Sequence, residues 1–85
     1  MQIQLRFFAS VREALNTAQE SVDLPSGIRT IGDVRSHLQA RGGAWAEALA
    51  QGRALRMAYN QQMSDESTPI TPGCEVAFFP PVTGG

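Results

Sequence analysis

Lysine is absent from these 85 residues; all seven cations are arginine. Schiff-base and general-base lysine chemistry are therefore excluded, and the chain offers no lysine acceptor for its own tail. Cysteine and histidine occur once each, as Cys74 and His37. A single cysteine rules out an internal disulfide. One Cys with one His falls short of the usual zinc ligand set, so no metal site is expected. No apolar run approaches the ~20 residues that span a bilayer. The opening MQIQLRFF alternates apolar and polar residues, unlike a secretory signal with its basic start and long apolar stretch. The cytoplasm is the expected location, with no membrane partner. Neither half is markedly basic and the net charge is −1, so no nucleic-acid footprint is expected. The apolar content of 42% supports one modest core in one domain.

What is present reads as short alternating elements. Ile3, Leu5 and Phe7 alternate with Gln2, Gln4 and Arg6, a strand with one buried face. Ser10 precedes Glu13 by three residues, the spacing of a capping box for a short helix to about Leu15. Ser21 to Leu24 alternates again and ends at Pro25 and the Ser26-Gly27 turn pair. Thr30 caps the next helix, with Asp33 near its positive end and Ile31, Val34 and Leu38 as its apolar stripe. Gly42-Gly43 is expected to end that helix. Ala44 to Ala50 reads as helix and Ala54 to Tyr59 as a third strand. Asn60 to Thr68 reads as a polar connection, and Glu75 to Phe79 as the last strand. The fold class is α+β, a mixed sheet over one main helix, with the first and last strands parallel and central. The domain is expected over 1–79 and an extended tail over 80–85.

That tail is the distinctive segment. The sequence closes on FFPPVTGG. Pro80 and Pro81 lack N–H groups and fix φ, so they stop the ladder and favour an extended path. Six residues beyond Phe79 reach roughly 20 Å at ~3.3 Å per residue. Gly84 and Gly85 make a tip without Cβ atoms that fits a narrow channel. A carboxylate is a poor electrophile, but ATP converts it to an acyl-adenylate. Sulfide or a persulfide then displaces AMP and leaves a thiocarboxylate. A disordered end is the plainer reading of two terminal glycines, and the Phe-Phe-Pro-Pro lead-in weighs against it.

The alternation also places aromatics away from the core. With Ile3, Leu5 and Phe7 facing the helix, Phe8 falls on the other side or at the strand end. Phe79 likewise points away from Val76 and Phe78. Together they predict an apolar patch at the root of the arm, which Met63 could join. The alternative is a second small cluster under the first helix, near Val11 and Leu15.

The segments LRFFASVREAL, NQQ at 60 to 62 and GCEVAFFPPVTGG resemble the small-subunit family of molybdopterin synthase, ubiquitin-like β-grasp sulfur carriers. The resemblance covers essentially the whole chain. It implies that Gly85 is adenylated by a separate ATP-consuming enzyme and then becomes a thiocarboxylate, with Gly84 giving access to the channel. It implies a large synthase subunit as partner in a heterotetramer, a sulfur donor, and cyclic pyranopterin monophosphate as sulfur acceptor. Phe8, Phe79 and Met63 fall on the family's interface positions, and Pro80, Pro81, Val82 and Thr83 form the inserted arm. The chain itself would bind no cofactor and would be a co-substrate, non-catalytic alone. Cys74 departs from the acidic or polar turn residue expected there. A carrier for another sulfur pathway, of the thiamine thiazole type, and an inert β-grasp interaction module are the other readings.

Some residues are set aside. Cys74 and His37 have nothing in the sequence that joins them as a nucleophile–base pair. Asp65 and Glu66 read as a solvated turn rather than a metal site. Arg12 reads as a surface residue.

Overall fold

Period-two alternation sets the central strand. The computed structural model describes residues 1–81. In β1 (Gln2–Phe7), Ile3, Leu5 and Phe7 are buried while Gln2 and Gln4 are exposed. β2 (Gln19–Asp23) pairs antiparallel to it, with Ile3 opposite Val22. β5 (Glu75–Phe79) lies on its other side, parallel, with Leu5 opposite Val76 and Phe7 opposite Phe78. β3 (Arg56–Tyr59) pairs antiparallel to β5, and β4 (Gln62–Ser64) forms the edge. The sheet order is β2-β1-β5-β3-β4. This is the ubiquitin-like β-grasp arrangement that the resemblance implies, with the first and last strands parallel and central as expected.

Helices α1 (Ala9–Leu15), α2 (Ile31–Gln39) and α3 (Gly43–Ala48) cover one face. Val11, Leu15, Ile31, Val34, Leu38 and Leu49 close over the inward residues of the sheet. The rings of Phe7 and Phe78 stack at 6.3 Å between centroids, and Trp45 meets Phe7 edge-on at 5.5 Å. Arg41 lies 4.3 Å above the Trp45 ring and ion-pairs with Glu20 on β2. Its guanidinium, through that hydrogen bond, holds the Glu20 carboxyl below its usual range.

Thr30 caps α2 as the sequence predicts. Its hydroxyl accepts from the Asp33 amide at 3.2 Å, and the Asp33 carboxylate accepts from the Arg29 and Thr30 amides. These amides, Arg29's foremost, lower the Asp33 pKa. The folded carboxyl titrates below its unfolded value, so its stabilisation is complete above the ordinary aspartate range. It is lost as pH falls through the lowered value. Thr30→Ala is expected to cost about 1 kcal/mol in urea unfolding. Asp33→Asn should flatten the acid limb of the stability profile.

Three local expectations are corrected. Ser10 does not cap α1: Phe8 is the N-cap, without a side-chain bond, and Ser10 lies inside the first turn. Gly42-Gly43 opens α3 rather than ending α2, which stops at Gln39. Gly42, the last residue of the link, and Gly43, the first of α3, both have positive φ, a conformation that favours glycine. The segment from Asn60 is not wholly loop. Asn60 and Gln61 both take positive φ, as a type I′ turn demands, and close a two-residue hairpin into β4. The Asn60 side chain also accepts from the Glu75 amide at 2.8 Å, tying this turn to the start of β5.

Candidate functional site

The sheet face away from the helices carries no covering element among the described residues. Residues paired across a ladder share a face. Arg6 is opposite Ala77, Ala77 opposite Ala58, and Ala58 opposite Met63. One row thus runs across four strands on this outer face, and its middle is two alanines. They form the floor of a trough of about 640 Å³. Its walls are aromatic and prolyl: Phe8, Phe79, Pro80 and Pro81, with Gln61 and Glu75 at the polar end. Phe8 is 43% exposed, and its ring meets Phe79 edge-to-face at 6.3 Å.

The structure therefore brings Phe8, Phe79, Pro80 and Pro81 together at the root of the arm. It does not place Phe8 and Phe79 under α1, so the alternative cluster is absent. Met63 lies on β4, on the same face and directly across from Ala58, and is 68% exposed. It stands beyond the trough rather than in its wall. Val82, Thr83, Gly84 and Gly85 lie outside the described residues.

Two floor residues were missed by sequence reasoning. Ala58 and Ala77 are buried although nothing packs over them but the trough walls. The signal was available: both fall out of phase with the large residues of their strands, Met57 and Phe78. Arg6 was also missed. Its guanidinium lies 5.6 Å from the Phe8 ring centroid and 3.9 Å from the Glu75 carboxylate.

Cys74 and His37 do not form a site. Cys74 is buried just before β5, at the end of that strand opposite the arm. His37 is on α2, in the layer behind the sheet. Glu66 is engaged by Arg35 at 3.0 Å and Asp65 by Ser67. The Ser67 hydroxyl and amide hold the Asp65 carboxyl below its usual range. Among the described residues no three or more of His, Cys, Asp and Glu come together as a metal site. No described helix is long and apolar enough to cross a membrane.

The ThiS family model aligns with residues 5–85, nearly the whole chain. The chain belongs to the ThiS family. Among curated relatives, the molybdopterin synthase sulfur carrier subunit of Escherichia coli (strain K12) is 42% identical. That alignment covers 98% of this chain and 99% of the relative. The protein of the same name from Haemophilus influenzae is 39% identical over the same shares. A chain in the complex of subunits 1 and 2 of the molybdopterin-converting factor from Helicobacter pylori 26695 shares the fold. Its TM-score is 0.69 at 23% identity, with 100% of both chains covered. In this ThiS-family member the trough and the arm root form an uncovered apolar surface on the sheet.

Proposed function

We propose that this chain is the sulfur carrier subunit of a molybdopterin synthase. The observation that carries the reading is the apolar trough at the root of the arm, on a chain 42% identical to such a carrier over nearly its full length. The reading places the reacting atoms on the tail. The Gly85 carboxylate attacks the α-phosphorus of ATP on a separate adenylating enzyme and releases pyrophosphate. Sulfide attacks the acyl carbon and expels AMP to leave the thiocarboxylate directly; a persulfide expels AMP to form an acyl disulfide, which a second thiol cleaves to the thiocarboxylate and a disulfide. The absence of a side chain on Gly85 leaves that carbonyl open from both faces.

The trough then docks the carrier on the large subunit. Phe8 and Phe79 supply the buried aromatic anchors, Met63 a peripheral contact, and Pro80-Pro81 a stiff base. Val82, Thr83 and Gly84 line the path to the large subunit's site. There sulfur passes to cyclic pyranopterin monophosphate and a carboxylate is regenerated after water supplies the oxygen. Partner groups provide the acid and base. That a like-folded chain occurs in a complex of subunits 1 and 2 of the molybdopterin-converting factor supports the two-subunit assembly.

The test is intact mass of the chain after incubation with ATP, an adenylating enzyme and a sulfur source. Exchange of one oxygen for sulfur, confined to the C-terminal peptide, is expected. An unchanged mass, with the enzyme active on another carrier, refutes the reading.

A further inference from the structure

The acidic residues of this chain are unevenly placed. Glu20, Glu47 and Glu66 are paired with Arg41, Arg53 and Arg35. Asp33 caps α2, and Asp65 folds back on Ser67. Asp23 lies opposite Gln2, at the end of the sheet away from the arm, and Glu13 lies on α1, outside the trough lining. Only Glu75 borders the trough. Two arginines flank the same strip from opposite sides. Arg6 on β1 is opposite Ala77, and Arg56 on β3 is opposite Phe79. Arg56 is exposed and makes no ion pair among the described residues. Arg6 is half-buried, and only one of its nitrogens approaches Glu75, at 3.9 Å. A chain with net charge −1 thus presents a locally cationic docking face.

We propose that Arg6 and Arg56 form a two-point cationic bracket that selects a partner surface with an apolar protrusion flanked by carboxylates. The proposal rests on the carrier reading, and the occupant is the large synthase subunit. Two strand steps and a two-residue offset separate the two α-carbons by about 12 Å, so matching carboxylates stand apart rather than adjacent. Phe8 and Phe79 fill the partner's apolar contact and set how long the complex lasts. The bracket orients the approach, because charges at a rim act on encounter more than on residence. Arg6 has a second part in this: its guanidinium lies over the Phe8 ring and restricts it at the trough mouth.

The experiment measures association and dissociation rates of the full chain with the large subunit across a range of ionic strengths. For Arg6→Gln/Arg56→Gln the association rate at low salt is expected to fall about five- to tenfold, with a flatter salt dependence and a nearly unchanged dissociation rate. The charge-retaining Arg6→Lys/Arg56→Lys chain should associate within about twofold of the parent. Phe79→Ala should act mainly on dissociation. A glutamine pair with the parent's rate and salt slope overturns the bracket and leaves the carrier reading intact. A lysine pair as slow as the glutamine pair also overturns it, since charge is then not the cause. A parent chain that does not bind the large subunit at all removes the carrier reading, and the bracket with it.

Discussion

A chain lacking Gly85 is expected to dock on the large subunit with its parent affinity and to deliver no measurable sulfur. The trough residues end at Pro81, so removing the last residue leaves the docking face untouched. It withdraws the reacting carbon by about 3.3 Å. Misplacement of a reacting atom by ~1 Å already costs about a hundredfold, so this displacement should abolish turnover. A full-length chain closed as a C-terminal amide isolates the chemistry from the reach. It keeps every main-chain atom in place but offers no carboxylate to adenylate. Both should fail in a single-turnover assay of sulfur delivery while competing with the parent for the large subunit. Delivery at the parent rate by the amide would remove the terminal carboxylate from the mechanism.

The second large effect is on stability. Arg35 is the one buried charged side chain among the described residues. Its Nε donates to the Leu49 carbonyl at 2.8 Å, and Nη2 donates to the Ala50 carbonyl at 2.5 Å. Nη1 pairs with Glu66 at 3.0 Å. A single side chain on α2 thus holds the C-terminal end of α3 and the segment after β4. Replacement by Met keeps most of the apolar stem but removes the charged donor from both carbonyls, leaving the Ala50 carbonyl to the Arg53 amide and the Leu49 carbonyl to Gln39. Each hydrogen bond from a charged donor is worth about 1.5–3 kcal/mol, so losing the two to the carbonyls is expected to cost about 3 kcal/mol in urea unfolding. A domain of this length holds roughly 4–13 kcal/mol in all, so the midpoint should fall steeply, with a melting temperature lower by more than about 10 °C. Glu66→Gln should cost less than ~1 kcal/mol, because that partner is 43% exposed and stays hydrated. Lysine at position 35 should recover only part, since a point charge cannot reach three acceptors in a fork. A loss under 1 kcal/mol for Arg35→Met would show that water replaces the guanidinium at these carbonyls.

The strands that carry the site were legible because alternation encodes which face each residue takes. Ile3, Leu5 and Phe7 against Phe8, and Phe78 against Phe79, sort correctly on period two alone. The Thr30–Asp33 cap was legible for the same local reason, a fixed spacing with a fixed bond. What was hidden depends on distant partners. The I′ turn at Asn60-Gln61 lacks the glycine that usually announces one, and β4 is only three residues long. Ser10 has capping spacing, but the chain turns into α1 two residues sooner, with Phe8 as N-cap and Ala9 at positive φ. The role of Arg35 was hidden because its acceptors are main-chain carbonyls 14 and 15 positions away. The trough floor depends on the β3–β5 register that sets Ala58 against Ala77, a long-range choice that no short window contains.

β5 occupies the middle of the sheet, laced to β1 on one side and to β3 on the other. Tension transmitted through Pro80 runs along that strand and loads both ladders in shear, so many bonds must yield together instead of unzipping singly. A pull applied through the stalk is therefore expected to leave the body folded.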